Sequence, residues 1–172
     1  IKKMNEIKNL PIVYIDRAPK NAEVLILSDN ETGGYLAGRE LIQKGCRRIL
    51  FLRDIRFAST VRSRKEGFVR ALQEKGMAFN EELEMSCFPE YAEARVVMER
   101  LLKEKGCFFD GIFATNDMMA LACVNVLTEN QIKVPGQVKV VGFDNISLTQ
   151  FTSPQITTIA QDTKELALHA AD

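Results

Sequence analysis

Short apolar runs alternate along this chain with longer segments in which apolar residues recur every three or four positions. The runs fall at 11–15, 24–27, 48–52, 111–115 and 138–143, with a weaker one at 155–159. Each has strand length, and several are apolar throughout, as strands covered on both faces are. The helical pattern occupies 34–44, with Tyr35, Leu36, Leu41 and Ile42 on one stripe and Gly45 as the stop. It returns at 63–75 (Phe68, Ala71, Leu72, then Gly76) and at 92–105 (Val96, Val97, Leu101, Leu102, then Gly106). A fourth helix is predicted at 117–129, with Asp117 as its N-cap. Strand and helix in alternation predict an α/β fold, a doubly wound parallel sheet with right-handed crossovers.

Composition narrows the class. A chain of 172 residues suits one domain or a little more and buries a core without staples. An apolar fraction of 46% with 27% charged residues excludes wholesale disorder. The 23 basic residues balance 23 acidic ones, so these residues lack the basic excess of a nucleic-acid surface. No apolar run reaches 18 residues, so no membrane partner is expected. Residues 1–10 are polar and carry no signal-peptide core. The cysteines (Cys46, Cys87, Cys107, Cys123) form no C-x-x-C pair, and His169 is the sole histidine. No metal site is therefore expected, and reduced thiols in a cytoplasmic protein are.

Candidate chemistry concentrates in the acids. Six of the eight Asp stand at or just past the apolar runs: Asp16, Asp29, Asp54, Asp117, Asp144 and Asp162. In a parallel sheet those ends share one edge, where open α/β sheets bind ligands. Capping accounts for Asp162 and can account for Asp29 and Asp54; it accounts less well for Asp16 and Asp144. Arg62 and Arg64 can supply countercharge, although Arg62 reads as a solvated helix residue. Carboxylates with a guanidinium suit a polyhydroxylated ligand, the acids accepting from hydroxyls and the Arg donating to them. No catalytic pair emerges: nucleophile elbow, P-loop and G-x-G-x-x-G are all missing, and no cofactor is expected. The Gly33-Gly34 pair reads as close helix packing. The 117–127 segment is apolar nearly all round, as buried or interface helices are.

These features occur in an ordered series that resembles a known family. The series runs Ser28-Asp-Asn-Glu-Thr-Gly-Gly-Tyr-Leu-Ala-Gly-Arg39, Leu41-Ile-Gln-Lys-Gly45, Arg48-Ile-Leu-Phe-Leu52 and Arg64-Lys-Glu-Gly-Phe68. It continues with Ala114-Thr-Asn-Asp-Met-Met-Ala-Leu121, Val134-Pro135, Val140-Val-Gly-Phe-Asp-Asn145 and Ser153-Pro-Gln-Ile-Thr-Thr-Ile159. From about Pro11 onward the chain resembles the effector-sensing core of lactose/galactose-repressor-type (LacI/GalR) regulators. Cys46 stands where that family commonly has His.

The resemblance implies a periplasmic-binding-protein-like type I fold of two lobes with a ligand cleft between them. Residues 1–28 would be a remnant of the first lobe, with 3–9 as a helix end. Residues 29–160 would form the C-terminal lobe, and 161–172 the start of the crossover back. The DNA-binding headpiece would lie outside this sequence. Arg64, Asp144 and Asn116 match effector-binding positions; Asp16 and Thr60 match more variable ones, and Phe88 an aromatic wall. The implied protein is a cytoplasmic homodimer, paired through Met118, Leu121, Ala122, Val124 and Phe151. It would bind operator DNA through its headpiece and take a sugar, sugar phosphate or nucleobase as effector. A periplasmic sugar-binding protein of an uptake system shares the fold and is the rival. The Val134-Pro135 and Ser153–Ile159 motifs favour the repressor.

Overall fold

The computed structural model describes residues 12–16 and 22–171, so the 3–9 segment and Pro11 lie outside the described residues. The chain divides into two compact units, 1–28 with 162–172, and 29–161. In the first unit, β1 (Val13–Ile15) pairs in parallel with β2 (Val24–Ile26). Helix α5 (Thr163–Ala171) packs against both strands, and the Asp162 carboxylate caps it by accepting the Glu165 N–H at 2.9 Å.

The second unit is a five-stranded parallel sheet in the order β4-β3-β5-β6-β7. Its strands are β3 (Ile49–Asp54), β4 (Glu84–Cys87), β5 (Gly111–Ala114), β6 (Lys139–Asp144) and β7 (Thr157–Ala160). The two-residue period of each strand sorts its side chains between two cores. Leu50, Leu52, Ile112, Ala114 and Val140 face a cluster completed by α3 (Tyr91–Lys105) and α4 (Asp117–Glu129). Ile49, Phe51, Phe113, Val141 and Phe143 face the opposite cluster, completed by α1 (Asn30–Gln43) and α2 (Ser59–Gln73). There Phe51 stacks on Phe68 with ring centroids 5.4 Å apart.

Two features of α1 and α2 position the site. Both begin four residues earlier than their apolar stripes suggest. Asp29 caps α1, accepting the Thr32 N–H at 2.9 Å, so the helix runs straight through Gly33-Gly34. These glycines are needed where the helices cross. A Cβ on Gly34 would lie 2.0 Å from the Arg64 carbonyl oxygen, and one on Gly67 would lie 1.8 Å from that of Glu31. Strand β4 lacks the continuous apolar run of the inner strands; it alternates over four residues only, with Met85 and Cys87 turned to the core and Glu84 and Ser86 away from it. It forms as an edge strand because β3 offers it a register, Phe51 opposite Glu84 and Arg53 opposite Ser86. Glu84 then receives both Arg53 and Lys65, which ties this edge to α2.

Candidate functional site

Strand order reverses at β3, since β4 lies on one side of it and β5 on the other. Helix α2 leaves β3 toward one face and α4 leaves β5 toward the other, which opens a crevice at the carboxyl ends of the strands. This is where open α/β sheets bind ligands. Arg64 stands there, on the second turn of α2 and only 6% exposed.

A buried cation needs partners, because removing one typically costs about 3–5 kcal/mol. Arg64 donates from Nε to Asn30 Oδ1 (2.8 Å) and from Nη1 to the Thr115 carbonyl (2.6 Å). The Phe143 ring lies beneath the guanidinium, 3.6 Å from its central carbon. Nη2 faces Asp144 Oδ1 at 3.7 Å, an ion-pair distance rather than a direct hydrogen bond. Asp144 also accepts from Gln161 Nε2 at 2.6 Å. The arrangement presents a fixed donor beside a fixed acceptor, suited to a ligand carrying hydroxyl groups or paired heteroatoms.

The expected site residues fall into place unequally. Arg64 and Asp144 come together. Thr60 lies one helical turn before Arg64 and is buried. Phe88 follows β4 and is 52% exposed, beside a backbone hydrogen bond from Ile55 N–H to the Cys87 carbonyl. Asn116 makes two hydrogen bonds within the unit. Its Oδ1 caps α4 by accepting the Met119 N–H (2.8 Å), and its Nδ2 donates to the Pro89 carbonyl (3.1 Å). Asn116, not Asp117, is therefore the N-cap. Asp16 belongs to the other unit, at the end of β1, with φ of 65° and its N–H bonded to the Ile26 carbonyl.

Other acids serve the frame. Asp54 is buried and binds Arg56 through both carboxylate oxygens. Asp117 accepts the Thr158 hydroxyl (2.6 Å) and the Ile146 N–H (2.9 Å). Burial pushes its carboxyl above the ordinary range, and those hydrogen bonds oppose the rise.

Of the expected dimer residues, Met118 and Leu121 are half-buried and Phe151 is 82% exposed. Ala122 and Val124 are buried in the unit's own core on nearly opposite sides of α4, where α3, β5 and β6 pack against the helix; this chain's own packing covers them. Sequence reasoning overlooked Asn30, Phe143, Gln161 and the Thr115 carbonyl as partners of the ion pair. Asn30 and Phe143 stood inside the quoted motifs, but nothing local showed that Arg64 meets them. Among the described residues no helix is long and apolar enough to cross a membrane, and no cluster of acids, Cys and His could hold a metal.

The model of the periplasmic binding protein-like domain matches residues 39–172. The chain belongs to this family, in the form found in LacI/GalR effector-binding domains. Among curated relatives, the HTH-type transcriptional repressor PurR of Pasteurella multocida is 32% identical over 163 residues. That match covers 94% of this chain and 48% of the relative. The chain spans about half the length of the curated relatives it matches. Among solved structures, a sugar-binding LacI-family regulator from Escherichia coli, complexed with phosphate, superposes with a TM-score of 0.84 at 29% identity. It covers 99% of this chain and 61% of that one. The transcriptional regulator CelR, in complex with cellobiose, gives a TM-score of 0.85 at 30% identity, covering 94% and 50%.

Proposed function

We propose that this chain is the effector-sensing part of a cytoplasmic transcriptional repressor. The carrying observation is the buried Arg64, set against Asp144 by Asn30, Thr115 and Phe143 at the sheet's switch point. The preferred effector class is a sugar or related metabolite whose hydroxyls bridge the guanidinium and the carboxylate; sugar phosphates and nucleobases offer comparable groups. Cellobiose and phosphate in the related structures support small, oxygen-rich ligands. In the whole protein Asp16, of the first lobe, would be a further ligand contact. Thr60 and Phe88 would line the site on the C-terminal lobe, where Asn116 would also hold the Pro89 loop.

Binding changes DNA affinity only as far as the effector prefers one lobe arrangement over another. Operator contacts belong to a headpiece outside this sequence. The homodimer forms through Met118, Leu121 and Phe151, with Leu148 beside them.

A thermal-shift screen of the full-length protein against sugars, sugar phosphates and purines identifies the effector, since a ligand at a hundred times its Kd stabilises by about 2.7 kcal/mol. Arg64→Ala and Asp144→Ala should each weaken that ligand by about 10- to 100-fold, the worth of a charged hydrogen bond. Unchanged calorimetric affinity in both variants refutes the assignment.

A further inference from the structure

At the end of β6 two consecutive non-glycine residues, Asp144 (φ 107°) and Asn145 (φ 55°), adopt positive φ. Such conformations persist only where the surroundings hold them. The hold is traceable to one buried carboxylate. Asp117 reaches from the first turn of α4 and takes the Ile146 N–H at Oδ2 (2.9 Å) and the Thr158 hydroxyl at Oδ1 (2.6 Å). The backbone N–H groups of Phe143 and Asn145 lie close enough to the same carboxylate to oppose the rise that burial causes in its pKa. Thr158 completes the ring, because its oxygen also accepts the Asn145 N–H at 3.2 Å. Gly142 makes room: a Cβ there would come within 2.2 Å of Asp117 Oδ1. Helix capping does not explain this carboxylate, since Asn116 caps α4.

We infer that Asp117 and Thr158 are positioning residues for Asp144. Their clasp holds the reversed turn that aims Asp144 at Arg64. Through Ile146 it also fastens that turn to the 3-10 segment Ser147–Phe151, which carries the exposed Leu148 and Phe151. A displacement of Asp144 is thereby transmitted to that surface through two hydrogen bonds and no intervening loop. The meaning of Asp144 as an effector contact rests on the function proposed above; the clasp itself operates without ligand.

The test uses NMR on the ligand-free full-length protein, with Thr158→Val, Thr158→Ser and Asp117→Asn, each with Asp144 intact or as Asp144→Asn. The Arg64 Nε–Hε resonance reports the neighbouring carboxylate, and amide exchange at Asn145 and Ile146 reports the turn. In the parent, Asp144→Asn should shift the Arg64 resonance. Thr158→Ser should preserve that response. Thr158→Val, nearly isosteric and so expected to fold, should cut it by at least half. It should also speed exchange at Asn145 and Ile146 about fivefold or more, leaving Leu50 and Phe51 protected. Asp117→Asn should do the same, because its amide meets donors with a donor. A full Arg64 response with unchanged exchange in Thr158→Val overturns the inference. If Asp144→Asn leaves the parent's Arg64 resonance unmoved, the Arg64–Asp144 pairing and the functional reading built on it fail, while the exchange measurement still judges the clasp.

Discussion

Gly34→Ala should destabilise this protein, against the ordinary rule for helices. Replacing an interior helical Gly by Ala normally stabilises by about 1 kcal/mol. Here the added methyl would stand 2.0 Å from the Arg64 carbonyl oxygen, with the Arg64 carbonyl carbon at 2.7 Å and its Cα at 2.8 Å. Ordinary contact begins near 3.4 Å, so the backbones must part by roughly 1.4 Å (3.4 − 2.0). All three obstructing atoms are backbone, so no rotamer change relieves the clash. Overpacking of this kind costs about 1–3 kcal/mol, occasionally more. Because rigid backbone puts this clash at the upper end, the net loss after the helix gain is about 2 kcal/mol, which lowers the midpoint by roughly 4–8 °C in a chain of this size. The separation also carries Arg64 away from Asn30 on α1, so ligand affinity should fall with stability. Calorimetric melting of the parent and of Gly34→Ala decides the matter, with Gly38→Ala as comparison. At Gly38 the nearest atoms are Ala71 Cβ (2.9 Å) and Phe68 Cδ2 (3.0 Å), an overlap of only about 0.5 Å (3.4 − 2.9), so the loss should be smaller. A Gly34→Ala midpoint at or above the parent's refutes the close-crossing argument.

Three further outcomes are expected. Glu84 is held below its ordinary pKa: burial raises it, but hydrogen bonds from Lys65 and Arg53 outweigh burial. A depressed acid adds stability above its unfolded pKa and loses it as pH falls through the folded value. Stability of the parent relative to Glu84→Gln should therefore be greatest near neutrality and vanish on acidification; a constant difference across pH in denaturant titrations contradicts this. Burial pushes the Cys87 thiol up to about 11 and raises Cys46 and Cys123 as well, while Cys107 is exposed. A thiol reagent at neutral pH should label Cys107 promptly and the other three only after denaturation, as read by peptide mass spectrometry. Phe151→Glu should shift the full-length protein from dimer to monomer at micromolar concentration in sedimentation velocity, with the melting of the 29–161 unit little changed.

Much of the site was legible in the order of residues, and the limits of that legibility have specific causes. The strand runs ending in Asp54 and Asp144 could be read because a strand buried on both faces needs a continuous apolar run, and the acids then fall at one edge. Arg64 could be nominated by chemistry and by resemblance. The N-cap of α4 falls on Asn116 rather than Asp117 because both side chains can cap, and only the position of the Met119 N–H decides between them. Burial of Ala122 and Val124 could not be read from the sequence because a helix apolar nearly all round does not tell which sides its own sheet and α3 cover.

The sequence by itself determined the alternation of strand and helix, the burial of the strands and the family. These follow from period, composition and motif order, which are local or ordered along the chain. Only the tertiary structure decided what surrounds Arg64. Asn30, Thr115, Phe143 and Asp144 lie 34 to 80 positions away from it (64 − 30 = 34; 144 − 64 = 80). They meet it because Gly34 and Gly67 let two helices touch backbone to backbone, and because parallel pairing of β3, β5 and β6 brings their ends to one edge. Such contacts depend on packing across the whole sheet, and no local pattern encodes them.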